Sequence, residues 1–382
     1  MRSLLAILGL IQAVLALRVA ARWARTARGT VIARRDDAAT DERVSVLLPV
    51  LNEERRLEPC LASLVAQDSE VAEIVVIDGG STDRTVDLVR RFAERDSRVR
   101  LVSAAPVPPT VNGKAYGLAK GLQCARPDTA WILTIDADVR VGSALTRSLL
   151  AHAERERVDA LSVATRQALS GPVEGLLHPA MLTTLVYRLG IPGTATTDLS
   201  RVQANGQCFL VQRDALCAVG GFDSVMDSIC EDFTLARALA TAGHRVGFYE
   251  SDNLAWTEMH ASWREAWENW TRSLPLRDRY TQGRTFVGLA EVTLVQALPL
   301  WLLPVLTRRL GRRHPLTRLN VALAASRLGV LAGTARAYPA RPLTYWLSPL
   351  CDLPVAARLW WMATRRQHRW RGRIISRGDS RP

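Results

Sequence analysis

Carboxylates at the ends of apolar runs are the residues of this sequence best suited to chemistry. Asp136-Ala137-Asp138 follows one such run, Asp78 closes a second ahead of Gly79-Gly80-Ser81-Thr82-Asp83, and Pro49-Val50-Leu51-Asn52-Glu53-Glu54 ends a third. A hard divalent cation such as Mg2+ or Mn2+ is held by one or two carboxylates, and phosphate oxygens complete its shell. Such a cation neutralises the charge that develops on a departing phosphate oxygen. The spacing of Asp136 and Asp138 lets one reach the metal while the other points to a ribose. An acidic pair alone is weak, because Asp is also a common turn former. Lys114, in Asn112-Gly113-Lys114, opens a helical pattern where a lysine can support a phosphate; the plainer reading is a solvated surface lysine.

These residues need a scaffold that brings strand ends together. Residues 44–50, 73–78, 99–103 and 131–136 read as buried strands, and 54–66, 83–95 and 114–125 as the helices between them, the second capped by Ser81 or Thr82. Repeated strand–helix–strand units predict a mostly parallel sheet with helices on both faces and ligands at the carboxyl ends of the strands. The two glycines after Asp78 allow the backbone to approach a ring closely.

The rest of the chain has a different character. Its 382 residues carry a net charge of +13 with 48% hydrophobic residues, and the mean hydropathy is +0.02. Apolar residues are therefore gathered in segments that avoid water, and disorder is excluded for most of the chain. The arginines cluster beside apolar runs: Arg18 to Arg28 after residues 4–20, Arg308 to Arg313 after 300–306, and Arg365 to Arg373 after 359–362. That pattern fits a bilayer edge and not a nucleic-acid surface, which would set basic residues among stacking aromatics. Residues 4–20 predict an anchor at 1–21 with its basic side in the cytosol, and a cleaved signal peptide is the competing reading. Of the later apolar runs, 286–306, broken by Pro299 and Pro304, is expected to be re-entrant or interfacial, while 319–337 and 343–362 span. This makes 286–363 a membrane region and 364–382 a basic cytosolic tail. Trp263, Trp267 and Trp270 fall on one stripe of a helix, either as core or as an interfacial face. The six cysteines lack metal spacing and are expected to be reduced and mostly buried.

Taken in order, the motifs resemble family 2 glycosyltransferases of the GT-A fold. The P-x-x-N-E opening at Pro49, Asn52 and Glu53, the Gly-Ser-Thr-Asp loop after Asp78 and the D-x-D at Asp136 and Asp138 occur jointly over 44–139, far more specific than any one alone. Asn205-Gly206-Gln207, Gly220-Gly221-Phe222-Asp223 and Glu231-Asp232-Phe233-Thr234-Leu235 extend the resemblance to about residue 279. It implies an α/β GT-A domain with a Rossmann-like, mostly parallel sheet over 43–280, between N-terminal and C-terminal membrane helices.

The resemblance also implies a UDP-sugar donor contacted by Pro49, Asn52, Glu53, Asp78, Gly79, Lys114 and Asp136, with Asp78 at the uracil ring. Gly79 stands where many members have a second Asp. A divalent metal, Mg2+ or Mn2+, falls to Asp136 and Asp138, and Asp232 becomes the base that removes the acceptor's proton. One base and one in-line displacement invert the anomeric centre. Asn205, Gly206, Gln207 and Glu231 fall at the acceptor and diphosphate, with Arg272 as an anion ligand. The family's Q/R-x-x-R-W motif is matched at Arg272 but replaced at Asn269 and Ser273, which favours a single transfer over processive synthesis.

The membrane segments add a similarity to the subgroup acting on lipids such as carotenoids and hopanoids. The expectation is therefore a multi-pass enzyme of the cytoplasmic membrane, its catalytic domain facing the cytosol, that glycosylates a lipid acceptor without a nucleic-acid partner. Alternatives are a polyprenyl-phosphate or glycerolipid transferase and a non-catalytic membrane protein that binds nucleotide sugars.

Overall fold

Residues 44–50 are almost entirely β-branched or leucine, and six of the seven are buried, as a central strand covered on both faces requires. The structure, a computed structural model, describes residues 2–37, 42–258, 260, 262–274, 282–365, 367–370 and 373–376. In chain order its strands before residue 260 are β1 (Val31–Ile32), β2 (Val44–Val50), β3 (Val71–Asp78), β4 (Val99–Ser103), β5 (Trp131–Ile135), β6 (Val139–Val141), β7 (Ala160–Ala164), β8 (Arg166–Gln167), β9 (Thr194–Thr196), β10 (Cys208–Gln212), β11 (Val246–Ser251) and β12 (Ala255–Thr257). The main sheet is ordered β1-β11-β7-β10-β5-β2-β3-β4, with β9 added on β11, and β6, β12 and β8 form a small second sheet.

The expected mostly parallel α/β sheet is present. β10 is the inserted exception, antiparallel to β5 and β7, and β9 is antiparallel to β11. This reversal positions the site. An antiparallel strand enters from the carboxyl end of its parallel neighbours, so the loop leading into β10 lies beside the residues that leave β5. Cys208 pairs with Ile135, and the Asp136 amide donates to the Gln207 carbonyl at 3.2 Å. The sheet also starts earlier than residue 43, because β1 pairs in parallel with β11 at its edge.

The helices Leu57–Val65, Thr85–Ala93 and Gly113–Cys124 follow β2, β3 and β4 as expected. Ser81 and Thr82 do not cap the second of them. Ser81 Oγ accepts from the Asn52 amide at 2.9 Å and the Thr82 amide donates to Asn52 Oδ1 at 2.8 Å, which ties the loops after β2 and β3 together. Asp83 takes over the helix start by accepting from the Thr85 amide at 3.0 Å.

The C-terminal apolar runs divide differently from expectation. Among the described residues, the helices long and apolar enough to cross a membrane are Ser3–Thr26 and Gly283–Leu310. The second is continuous through Pro299 because a π-helical turn, Val292–Ala297, precedes it and absorbs the missing proline donor. Helix Pro315–Thr334 carries Arg327 in its interior-facing side, 2% exposed and paired with Asp352. Residues 343–362 form the 3-10 turn Leu343–Cys351 followed by helix Asp352–Thr364, not one straight span. The backbones of Gln367–Trp370 and Arg373–Ser376 pair as an antiparallel hairpin within the expected tail.

The tryptophan stripe lies on helix Trp263–Ser273, where Trp267 and Trp270 pack on a cluster with Ala180, Met181 and Leu359, while Trp263 is exposed. Cys60, Cys208 and Cys230 are buried and Cys124 and Cys217 exposed, so the thiols are less uniformly buried than expected.

Candidate active site

Asn112 is the residue from which the site is built. It caps helix Gly113–Cys124 by accepting from the Lys114 and Ala115 amides, one of the preferred N-cap types. Its amide nitrogen donates to Glu231 Oε2 at 3.0 Å and to the Ser228 carbonyl at 2.9 Å. Two helix starts far apart in sequence are thereby joined, and Lys114 projects between them. Its Nζ lies 2.6 Å from Asp136 Oδ1 and 3.0 Å from Glu231 Oε1, and donates to the Gly206 carbonyl at 3.4 Å.

Asp232, the next residue of helix Glu231–Thr241, accepts from the Gly206 amide at 2.5 Å through Oδ2 and from the Phe233 amide at 2.7 Å through Oδ1. Neither Glu231 nor Asp232 caps this helix, whose N-cap is Cys230. Both acids are turned to the cavity. Gly206 is needed for close approach: a Cβ there would meet Lys114 Nζ at 2.8 Å and Asp232 Oδ2 at 3.1 Å. Asn205 and Gln207 support the loop from behind. Asn205 Nδ2 donates to the Val163 carbonyl at 3.1 Å and to Gln207 Oε1 at 3.1 Å, and Thr165 Oγ1 donates to Gln207 Oε1 at 2.5 Å.

Electrostatics separate the carboxylates into roles. Burial disfavours the Lys114 charge, but Asp136, Glu231 and Asp232 outweigh it and hold the ammonium protonated well above its usual range. Burial likewise opposes ionisation of Glu231, yet the Lys114 charge and the Lys114 and Asn112 hydrogen bonds keep its carboxyl below its ordinary value. Asp232 is pushed up to about 6 by burial and by the Glu231 charge, against the Lys114 charge and its two amide donors. Asp138 is pushed up to about 7 by burial and by Asp136 and Glu53, despite Arg56 and Lys114.

A cavity of about 1200 Å³ opens on this cluster, lined by Asn52, Lys114, Asp136, Asp138, Asn205, Gln207, Glu231 and Asp232. Its opposite wall is apolar, from Leu182, Leu185, Val186 and Leu189 of helix Pro172–Leu189 with Phe248 and Trp270. The structure thus brings together expected residues from five segments of the chain. Others do not line it. The Asp78 carboxylate accepts from the Gly80 and Ser81 amides at 3.1 Å, and Asp78, Gly79, Pro49 and Glu53 are not among the lining residues. Asn52 adopts φ 55°, a left-handed conformation that asparagine tolerates, so its side chain can meet the Thr82 amide. Glu53 is buried and paired with Arg56 at 3.0 Å. The backbone of Arg272 belongs to helix Trp263–Ser273, and its side chain lies outside the described residues.

Sequence reasoning missed His260. It is buried, it lines the same cavity as Asp136 and Asp138, and neither ring nitrogen has a hydrogen-bond partner among the described residues. Burial, then Arg56, opposed by Glu265, pushes its imidazole down to about 4, so it is neutral and ready to act as a ligand. A lone histidine ahead of a tryptophan stripe carried no signal to mark it. The cation fit is good on two counts: Asp138 is a carboxylate crowded by negative charge, and His260 is a buried neutral donor left without a partner. Among the described residues no three or more His, Cys, Asp or Glu side chains are grouped so as to hold a metal ion.

The sheet order, the reversed β10 and the acid cluster at the strand ends define a glycosyltransferase of the GT-A fold. A mannosyltransferase from Pyrobaculum calidifontis, solved with GDP-Man and Mn2+, superposes with a TM-score of 0.54 over 93% of this chain and 99% of that one at 22% identity. The chain belongs to glycosyl transferase family 21, whose model matches residues 2–379. It is 25% identical over 254 residues to a 4,4'-diaponeurosporenoate glycosyltransferase of Staphylococcus haemolyticus, covering 65% of each chain. It is 30% identical over 116 residues to the glycosyltransferase EpsJ of Bacillus subtilis, covering 30% of this chain and 32% of that one. The matched region is therefore under two thirds of the length of these relatives.

Proposed function

We propose that this protein transfers a sugar from a nucleotide-sugar donor to a hydrophobic acceptor with inversion at the anomeric carbon. The single observation that carries the proposal is the composition of the cavity: an acid–lysine cluster on one wall and an aliphatic wall facing it. Asp232 takes the acceptor hydroxyl proton. Its raised pKa of about 6 leaves it mostly ionised at neutral pH yet basic enough to accept that proton. The Gly206 and Phe233 amides fix its orientation. Lys114 orients Asp136 and Glu231 and supplies positive charge where the donor diphosphate would lie.

A divalent metal, Mg2+ or Mn2+, would be held by Asp136 and Asp138, and His260, a neutral donor lining the same cavity, is the candidate for a further ligand. When bound, that ion neutralises charge on the departing diphosphate. The donor is a UDP-sugar on the strength of the Asp78 loop resemblance. The acceptor is a membrane lipid, such as a carotenoid or hopanoid; a carotenoid is also the substrate that the name of the Staphylococcus haemolyticus relative implies. Helices Ser3–Thr26 and Gly283–Leu310 support membrane attachment, and the arginines from Arg18 to Arg28 at the end of the first support a cytosolic catalytic domain.

The test supplies purified protein with UDP-sugars and GDP-sugars and with lipid extract, and follows product lipids by mass spectrometry. Asp232→Asn should abolish product while donor binding persists. Unchanged turnover by that variant removes the base assignment, and absence of any transfer by the native chain removes the activity.

A further inference from the structure

Helices Ser3–Thr26 and Gly283–Leu310 pack antiparallel, with a pocket of about 420 Å³ between one end of the pair and the sheet domain. Their register is set by two contacts. Arg18 and Arg22 pair with Glu291 at 3.1 and 3.0 Å, and Gln12 donates to the Leu294 carbonyl at 2.9 Å. On one side of the Arg18–Glu291 level the outward surface is apolar: Leu4, Ile7, Leu10, Val14 and Leu17 on one helix, Trp301 and Val305 on the other, all exposed. On the other side lies the pocket, lined by Arg18, Arg22, Arg25, Arg188, Arg201 and Arg284.

Among the described residues six guanidinium groups share this pocket with one lining carboxylate, Glu291, and Asp198 is a further acid that Arg201 and Arg284 act on. Arg25, for one, donates to the Ala21 carbonyl at 3.2 Å, which carries no full charge. Among the described residues the pocket therefore holds an excess of positive charge at the level where the apolar outer surface ends. That is the headgroup level for a chain embedded by these helices. Guanidinium forks match phosphate oxygens in pairs.

We propose that this pocket binds the phosphate of an anionic phospholipid headgroup. It rests on the membrane reading of the two helices but is independent of sugar transfer. Leu189 lines both this pocket and the active-site cavity, so the bound lipid lies against the apolar wall of the cavity. A headgroup held there fixes the height of the cavity mouth relative to the bilayer.

The test measures thermal unfolding of the full-length chain in nonionic detergent with phosphatidylglycerol, with phosphatidylcholine of the same acyl chains, or with glycerol 3-phosphate. Phosphatidylglycerol should raise the midpoint by ~3 °C over phosphatidylcholine. Arg25→Ala/Arg201→Ala removes two surface arginines of the pocket and should lose most of that increment. Arg312→Ala/Arg313→Ala removes the same charge elsewhere and should keep it. Equal shifts from both lipids, or an undiminished increment in the first double variant, overturn the proposal. An equal shift from glycerol 3-phosphate alone overturns the lipid source. No arm reads turnover, so failure here and failure of the transferase reading are separate results.

Discussion

The Gly206 amide donates to Asp232 Oδ2 at 2.5 Å, so the loop entering β10 and the first turn of helix Glu231–Thr241 share one hydrogen bond beside the Lys114 ammonium. The glycine is required by space. An added Cβ would press on Lys114 Nζ at 2.8 Å and on Asp232 Cβ at 3.1 Å. Gly206→Ala should therefore fold normally but displace the base by a fraction of an ångström. Small misplacements of reacting groups cost about 10²-fold in rate. The expected result is a fall in kcat of that order with an unchanged circular dichroism spectrum.

The pH dependence follows from Asp232. Its carboxyl is pushed up to about 6 by burial and then by the Glu231 charge. A raised pKa means that protonation begins earlier as the pH falls, and only the ionised form accepts the acceptor proton. The rate should be flat above about pH 7 and fall roughly tenfold per unit below about 6. A pH–rate profile at saturating donor checks this, and a rate undiminished at pH 5 would falsify the assignment.

Lys114→Met tests how far the ammonium controls that base. Asp136, Glu231 and Asp232 all lose the cation that favours their ionised forms. Protonation of Asp232 then sets in at still higher pH, because the cation that favours its ionised form is gone while Glu231 remains. The acid limb should shift upward by about one pH unit, together with a raised KM for the donor. A limb that stays in place with only a lower plateau would assign Lys114 to the donor alone.

Much of this site was legible because its residues carry local signatures. Asp136 and Asp138 end an apolar run, and Glu231 and Asp232 open a helix, so each could be found without knowing what faces it. The reversed direction of β10 was not legible: a five-residue buried strand reads the same whether it pairs in parallel or antiparallel. That direction alone carries Asn205, Gly206 and Gln207 to the carboxyl edge. His260 was invisible because its importance lies in lacking a partner, a property of three-dimensional packing. That the proline-containing run 286–306 stays helical was not legible either, because a π-helical turn precedes Pro299 and keeps the helix intact. Asp78 closes β3, and its carboxylate is engaged with the Gly80 and Ser81 amides.

The metal reading yields a binding prediction that does not involve turnover. Asp138 is pushed up to about 7 by burial and its acidic neighbours, so protons compete with the cation near neutral pH. Mn2+ affinity, followed by titration calorimetry, should weaken as the pH falls through 7. Asp138→Asn and His260→Ala should each weaken it by at least about tenfold. Native affinity in His260→Ala would remove the histidine from the site while leaving the carboxylate in place.

The C-terminal helices are joined by a charge pair with little room for water. Arg327 Nε lies 2.6 Å from Asp352 Oδ2 and its Nη2 lies 3.0 Å from Oδ1, with both side chains at most 2% exposed. Gln296 adds a donor to Asp352 at 3.0 Å from the π-helical turn, so three segments meet at one carboxylate. Removing one member leaves the other charge buried and uncompensated, at a cost of about 3–5 kcal/mol, whereas removing both is often neutral. Arg327→Met should therefore lower the unfolding midpoint in detergent sharply. Arg327→Met/Asp352→Leu should recover most of the loss, because the apolar replacements need no partner. Additive losses in the double variant would show that the pair stabilises the bundle on its own account, beyond the mutual neutralisation of two buried charges.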